Sequence, residues 1–234
     1  MQVIDVPASA GITWIKLSFA AFRAQPLGWM ALVASWLLMT MGMFFVPLIG
    51  AAIATILQPG FFAGFVLAAR DQEAGQRIGV HQLFAAFRVN GRPLVTLGSI
   101  TLLAEIMLMV ILGLAGLPRN IPGDINGMPD IQAYVQLLDG KEWIIMLGFV
   151  LMVIIKGTLW FTAAILALNQ MSATHAIRWS FYALIANFLP MLVFAVLMTF
   201  LFMLSALPPF LGMLITMPMY AISHYVSYRD LFRA

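Results

Sequence analysis

Apolar residues occur along this chain in long runs that are almost free of charged side chains. An α-helix of about 20 apolar residues crosses the ~30 Å hydrocarbon core of a bilayer. Six runs of that length can be delimited, at residues 27–47, 48–69, 94–117, 143–168, 189–207 and 208–228. The pattern therefore predicts an all-α polytopic membrane protein, with six transmembrane helices in a single membrane domain over residues 1–234.

The segment before the first run has the spacing of an amphipathic helix. Four apolar residues fall on one helical face: Ile12, Ile15, Phe19 and Phe22. Lys16 and Arg23 fall on another face. Such a helix is suited to the headgroup plane of a membrane, where its apolar side chains enter the lipid and its basic ones stay in water. The same stripe is equally suited to packing on the protein's own surface, and both interpretations stay open.

A short motif recurs and divides the chain into repeated units. Phe-Ala-Ala-Phe-Arg occurs at residues 19–23 and again at 84–88, and a Pro-Leu pair that opens an apolar run follows each copy. A more diverged copy begins at Phe181, which precedes Pro190 by the same nine residues that separate Phe84 from its proline. The repeat predicts three units of an amphipathic helix plus a helical hairpin, at about residues 8–71, 72–170 and 171–230.

The second apolar run of each unit contains residues that disfavour a regular helix: Pro59 with Gly60, Gly157, and Pro218. Broken helices bind substrates at mid-depth in some transporters. Structural kinks at Pro and Gly are commoner in membrane helices, and we favour that interpretation. Gly60 and Gly64 also form a Gly-x-x-x-Gly pattern, which predicts a close helix contact within the chain.

Basic residues are distributed unequally between the two sides that six alternating spans define. The side with both termini holds nine of them, and the other side holds Arg119 and Lys141. Short loops rich in Lys and Arg stay in the cytoplasm, so both termini are predicted to be cytoplasmic. Five of the nine form a basic collar next to the predicted membrane surface: Lys16, Arg23, Arg88, Arg92 and Arg178. We expect this collar to attract anionic lipid headgroups, and we expect no nucleic acid partner.

The composition excludes several kinds of chemistry. Apolar residues make up 63% of the chain and charged residues 9%, with a mean hydropathy of +1.00, whereas soluble domains carry about 45–50% and about 25%. Without cysteine the chain has no disulfide, thiolate metal site or cysteine nucleophile. No phosphate-binding loop, hydrolase elbow or metalloprotease motif occurs. We therefore expect no catalytic residue, no metal, no cofactor and no enzymatic activity.

Two charged residues, Glu105 and Lys156, lie inside the predicted spans and near mid-depth of one hairpin. A lone charge at the centre of a bilayer costs about 2.5–3.5 kcal/mol on the insertion scale, and neither residue reaches an interface easily. We therefore predict that the two side chains pair with each other and face the bundle interior. The pair is either structural or part of an ion- or proton-handling site, and no chain of further titratable groups continues from it.

The long outer loop, residues 118–142, differs from the other connections. Its first half is rich in Pro and Gly and is typical of turns. Asp130 then stands before a stretch whose apolar residues share one helical face, and an aspartate is a favourable N-cap. The sequence therefore predicts a short helix that begins after Asp130 and lies on the outer surface.

Several segments resemble a family of six-span proteobacterial inner-membrane proteins, the BPSS-type transmembrane family. The resemblance rests on residues 14–27, on Pro59-Gly60 with Ala68-Ala69-Arg70, and on the 84–88 repeat. More distantly, the chain is similar to other bacterial six-span families, including the membrane domain attached to some glycerophosphodiester phosphodiesterases. The resemblance implies an inner-membrane location and supports the topology, but it transfers no catalytic or binding residue.

Two classes of function follow from these features. The first is a non-enzymatic accessory or envelope-homeostasis protein that binds membrane lipids, or another membrane protein, through its basic collar. The second is a small transporter or channel with a mid-membrane site at Glu105 and Lys156. Several polar residues along one path would favour the second class, and the spans offer few of them.

Overall fold

A computed structural model describes residues 1–118, 130–207 and 212–233. Over these residues the chain is helical apart from two very short strands. The elements, in chain order, are β1 (Gln2–Val3), α1 (Ala10–Ala24), α2 (Pro26–Phe44), α3 (Gly50–Glu73), a 3₁₀ turn (Val80–Phe84), α4 (Ala85–Leu114), α5 (Ile131–Leu138), α6 (Glu142–Leu159), α7 (Thr162–Asn169), α8 (Ala173–Ala186), α9 (Phe188–Ala206), α10 (Met213–Leu231) and β2 (Phe232–Arg233).

Five helical segments in the described part of the chain are long and apolar enough to cross a membrane: Pro26–Phe44, Gly50–Glu73, Val80–Leu114, Glu142–Asn169 and Phe188–Ala206. The sixth predicted span corresponds to α10, which is not among them, and residues 208–211 of that span lie outside the described residues. Ten of the 19 residues of α10 are buried, compared with three of 19 in α2. Because protein covers so much of α10, this helix tolerates more polar residues than a lipid-facing one.

The chain forms two compact units, Met1–Ser99 with Thr158–Ala234, and Ile100–Gly157. In the first unit α3 packs against both α7 and α10. The contacts bury apolar side chains such as Phe65 of α3, Ile165 of α7 and Ile222 of α10, each at most 1% exposed. Helices α3 and α10 are the second helices of the first and third predicted hairpins, and α7 is the last part of the second helix of the middle one. Together they form the core of this unit.

Three short segments pack around that core. Helix α1 packs against α10 and α9, the 3₁₀ turn packs against α3, and α8 packs against α7. Each of these segments is the one predicted to be amphipathic and to precede a hairpin. The 3₁₀ turn and α8 each contact the last helix of the hairpin that precedes them. Helix α1, which no hairpin precedes, contacts the last helix of the final hairpin.

The buried face of α1 differs from the predicted stripe. It consists of Ala10, Gly11, Trp14, Ser18 and Phe22. A Cβ atom at Gly11 would overlap the Pro190 carbonyl oxygen, so glycine permits the close approach of α1 to α9. Ile12 and Phe19 of the predicted stripe stay exposed. Helix α1 thus uses one face for protein contact and keeps a second apolar face uncovered.

The amphipathic helix predicted for the second unit is short, and consists of the 3₁₀ turn and the first residues of α4, up to the non-helical Asn90. Helix α3 continues to Glu73, and a loop follows it, so only the five-residue 3₁₀ turn (Val80–Phe84) precedes α4. The side chain of Gln82 accepts a hydrogen bond from the Gly79 amide at 3.0 Å and donates one to Asp71 at 3.0 Å, which fixes this turn against the end of α3. A long α3 leaves too few residues for a second full helix.

Non-helical residues separate these three segments from the helices that follow. Gln25 lies between α1 and α2 with φ −142° and ψ 63°, Asn90 kinks α4 with φ −147° and ψ 47°, and Asn187 lies between α8 and α9 with φ −116° and ψ 36°. Pro26 is the first residue of α2. A proline in a first helical turn loses no hydrogen bond.

The two ends of the described chain are held together. Strands β1 and β2 pair antiparallel, with Gln2 opposite Arg233 and Val3 opposite Phe232. The Ile4 amide adds a hydrogen bond of 2.9 Å to the Leu231 carbonyl oxygen. These strands could not be predicted from the sequence, because two-residue segments carry no recognisable period.

In the second unit, α5 begins as predicted. The Asp130 carboxylate accepts a hydrogen bond from the Ala133 amide at 3.0 Å and so caps the helix. Elsewhere in this unit a Cβ atom at Gly148 would press on the Leu112 side chain, which brings α4 and α6 close together. Arg119, one of the two basic residues assigned to the outer side, lies outside the described residues.

Candidate functional site

The two intramembrane charges contact each other within the second compact unit. The Lys156 Nζ atom of α6 lies 2.6 Å from Oε1 of Glu105 in α4 and donates a hydrogen bond to it. Both helices are uninterrupted at these positions, which lets residues far apart in sequence meet at one level. The predicted pair is thus present as a direct, charge-assisted contact.

The surroundings of this pair differ from the expectation of a bundle interior. The Lys156 side chain is 44% exposed and that of Glu105 is 27% exposed. Flanking residues such as Val153 and Met109 are exposed as well. Which face of a helix is covered depends on its neighbours, and spacing along the chain does not determine it. The pair therefore neutralises two charges at the surface of its own unit.

The five residues of the basic collar are all exposed: Lys16, Arg23, Arg88, Arg92 and Arg178. None of them has an ion-pair partner among residues 1–118, 130–207 and 212–233. Arg23 lies over the Phe19 ring, with its guanidinium carbon 5.8 Å from the ring centroid. Phe19, Phe84 and Phe181, the first residues of the three motif copies, are 41%, 39% and 41% exposed. Basic and aromatic side chains thus occur together on this surface.

Other basic residues near the ends of α3 and α10 are paired. Arg70 contacts Asp71 at 2.8 Å, and Arg229 forms an ion pair with Glu73. The Tyr225 hydroxyl donates a second hydrogen bond to Glu73 at 2.5 Å. The two contacts of Glu73 join the end of α3 to the end of α10. They distinguish structural arginines from the unpaired residues of the collar.

The predicted helix breakers have different roles. Pro59 and Pro218 lie inside continuous helices. Gly157 lies inside α6, and the chain leaves the helix three residues later, at Trp160 and Phe161. The Phe161 amide there donates to the Ser180 hydroxyl oxygen at 3.1 Å. The amide of Phe161 at this break is therefore satisfied by a protein hydroxyl group.

Gly60 provides space and does not break its helix. A Cβ atom at this position would overlap the Phe87 ring, and one at Gly64 would press on the carbonyl oxygens of Gln82 and Leu83. The two glycines therefore leave the space in which the segment from the 3₁₀ turn to the start of α4 packs against α3. The close contact predicted from the Gly-x-x-x-Gly pattern is confirmed, and it is made within the chain.

An aromatic cluster around His224 was not predicted from the sequence. The His224 side chain is 7% exposed, and its ring centroid lies 3.9 Å from that of Trp160, 4.8 Å from that of Phe62 and 5.1 Å from that of Tyr220. Its Nε2 atom has no hydrogen-bond partner among the residues that the structure describes. The cluster could not be read from the sequence, because Phe62 of α3 and Trp160, in the turn between α6 and α7, are far from His224 along the chain.

Within the described ranges, no group of three or more His, Cys, Asp or Glu residues is placed to hold a metal ion. The described charged clusters are the ion pair of α4 and α6 and the ion pairs at the ends of α3 and α10. The features that remain as candidate sites are the Glu105–Lys156 pair and the basic collar.

Comparison with known proteins gives one partial similarity. The chain is 39% identical over 102 residues to a probable inner membrane protein of Burkholderia thailandensis. The alignment covers 44% of this chain and 37% of that protein, so the chain spans well under half the length of this curated relative. No family model and no solved structure matches the chain. The apolar helices and this similarity support an integral membrane protein.

Proposed function

We propose that this chain is a non-enzymatic protein of the bacterial inner membrane that binds lipid, or a membrane partner, through its basic collar. The observation that carries the proposal is the state of Lys16, Arg23, Arg88, Arg92 and Arg178, which are exposed and unpaired among the described residues. Basic side chains near a membrane attract anionic headgroups with about 1 kcal/mol each.

The location and topology belong to the same proposal. The partial relative is a probable inner membrane protein, and the family resemblance points to the same membrane. The pairing of β1 with β2 supports termini on one side, as six spans require. The nine-to-two distribution of basic residues then assigns that side to the cytoplasm.

The three-unit organisation is also proposed, and the helix junctions support it. Gln25, Asn90 and Asn187 each lie six residues after the first Phe of a motif copy. Each has a non-helical backbone and an amide side chain that binds backbone groups of a distant segment. The same device at the same place in three segments is expected of a repeat and is hard to explain by chance.

A test of the proposed function compares lipid preferences. The full-length chain in nanodiscs of equal phosphatidylglycerol and phosphatidylcholine should retain phosphatidylglycerol in native mass spectrometry. A variant with the five collar residues changed to Gln should lose this preference, because the loss of five charges removes the attraction. Lys141→Gln, on the other predicted side, is the control and should keep it. Full preference in the five-residue variant would contradict lipid binding through the collar.

The alternative is a transporter or channel that uses the Glu105–Lys156 pair, and the partial exposure of the pair is the observation that favours it. Intramembrane charges often mark ion or proton pathways. Proteoliposomes with an internal pH-sensitive dye distinguish the two functions. Under our proposal they leak protons no faster than empty liposomes. A faster flux that is abolished in Glu105→Gln would favour the alternative.

A further inference from the structure

A groove of about 420 Å³ opens between α1, α9 and α10 in the first compact unit. The groove is lined by Leu201 and Leu204 of α9, by Ile215 and Met219 of α10, and by Ile15, Lys16 and Phe19 of α1. The volume falls within the ~300–1,000 Å³ typical of small-molecule sites. The lining follows α10 from Gly212 to Met219, about 10 Å of helix.

The walls of this groove present an apolar surface. Its two hydroxyl residues, Ser205 and Thr216, donate to carbonyl oxygens of their own helices, at 2.7 Å to Leu201 and 3.2 Å to Gly212. These hydroxyls are therefore occupied and do not require a polar ligand. The groove matches a hydrocarbon chain better than a sugar, a nucleotide or a peptide, since each of those would leave polar groups unsatisfied.

Helix α1 adds positive charge beside this apolar surface. Lys16 lines the groove and is exposed, and Arg23 lies over the ring of Phe19, another lining residue. Neither cation pairs with a carboxylate in the part of the chain that the structure describes. The nearby Asp230 accepts a hydrogen bond of 2.8 Å from the Trp14 indole, on the buried face of α1. The groove thus combines an apolar lining with two cations contributed by α1.

We propose that this groove binds one acyl chain of an anionic phospholipid, whose phosphate contacts Lys16 and Arg23. The inference rests on the proposed function and assigns it a site. Because lipid tails are as apolar as leucine, an acyl chain gains little by leaving the bilayer for an apolar groove. Selectivity therefore comes from the headgroup, and occupancy depends on whether the groove is open.

Native mass spectrometry of the full chain from mixed phosphatidylglycerol and phosphatidylcholine nanodiscs tests the site. Lys16→Gln should lower the preference for phosphatidylglycerol about fivefold, the factor for one basic residue at an anionic surface. The matched control is Arg178→Gln, which removes a collar charge away from the groove. Leu204→Trp fills the groove and should remove the most tightly held lipid, whereas Leu192→Trp, at an exposed position of α9 outside the lining, should not.

The outcomes separate the site from the general proposal. If Lys16→Gln and Arg178→Gln weaken the preference equally, or if Leu204→Trp retains the tight lipid, the groove is not the site while collar binding stands. If palmitate added to the nanodiscs displaces phosphatidylglycerol from the wild-type chain, the occupant is a fatty acid and the inference is wrong. If the wild-type chain shows no headgroup preference, lipid binding through the collar fails together with the site.

Discussion

Glu105 and Lys156 illustrate how two charged residues can be accommodated in long apolar helices. Each charge alone would be costly at mid-depth, and the 2.6 Å contact turns them into one neutral group. Such a pair gives little net stability compared with apolar residues, but removal of one of its two members is strongly destabilising. The consequence can be measured, because the two charges can be removed separately or together.

Lys156→Met should lower the free energy of unfolding by up to about 3 kcal/mol, because it leaves the Glu105 carboxylate without its partner. The double variant Glu105→Gln with Lys156→Met should lie close to the wild type. Titration of sodium dodecyl sulfate into a mild detergent, followed by tryptophan fluorescence, measures the difference. Equal stability of the single and double variants would show that the contact has no energetic role.

His224 presents the opposite problem, a polar ring among aromatic rings. We predict that His224→Ala destabilises the protein by about 2–4 kcal/mol, because it leaves a cavity where three rings now meet. His224→Phe should recover most of this loss, since a ring of similar shape refills the space. Thermal unfolding in detergent checks both variants. If Phe proves as harmful as Ala, the imidazole nitrogens and not the ring shape are what the site needs.

At the scale of elements, the amide side chains at the three helix junctions act as clamps. Asn187 accepts from the Val6 amide at 3.0 Å and donates to the Ile4 carbonyl oxygen at 2.9 Å. Gln25 binds the Gln76 carbonyl oxygen and the Ile78 amide, both at 2.9 Å. Asn90 donates to the Leu166 carbonyl oxygen at 3.0 Å. Each clamp thus binds a segment near the end of one of the core helices α3, α7 and α10.

Substitution of each clamp by Ala should lower the free energy of unfolding by about 1–3 kcal/mol, because backbone groups lose their partner. Asn187→Ala should be the most harmful, since Asn187 is fully buried. Gln76→Ala is the control, because only the backbone of that exposed residue takes part in the clamp. The same detergent titration applies. A clamp variant that matches the control would remove that junction from the set.

The sequence predicted most helices but not the partners of each helix. Long apolar runs determine where a chain enters a membrane, so α2, α3 and α9 fall where the runs lie. Trp14 of α1 was not assigned to the contact face, because its burial depends on α9 and α10, which follow much later in the chain. The 3₁₀ turn at residues 80–84 was missed because the length of α3 decides how many residues remain for it.

At the scale of the whole molecule, the paired chain ends and the charge distribution make one topological prediction. Reporter fusions after Ala234 and at Gly140 should report opposite compartments, with Ala234 in the cytoplasm. Alkaline phosphatase and green fluorescent protein activities measure this directly, because the first is active only outside and the second only inside. The same signal at both sites would contradict the topology in which Gly140 and Ala234 lie on opposite sides of the membrane.

The candidate sites could be predicted to different degrees. The charge pair could be predicted from the sequence, because a lone charge in an apolar helix is costly and each of the two residues offers the other an oppositely charged partner. The collar residues could be predicted from the unequal distribution of Lys and Arg between the two sides of the membrane. The groove and the His224 cluster were not, since Met219 and His224 become significant only when helices distant in sequence are packed beside them.

The contact between α1 and α10 has a consequence for synthesis. Trp14 and its partner Asp230 are 216 residues apart, so α1 leaves the ribosome long before the helix that it packs against. Through that interval α1 needs another environment for Trp14 and Phe22. The membrane surface provides one, because α1 also carries Lys16, Arg23 and an exposed apolar face with Ile12 and Phe19. The amphipathic pattern of α1 is thus compatible with lipid contact before α10 is synthesised and with protein contact afterwards.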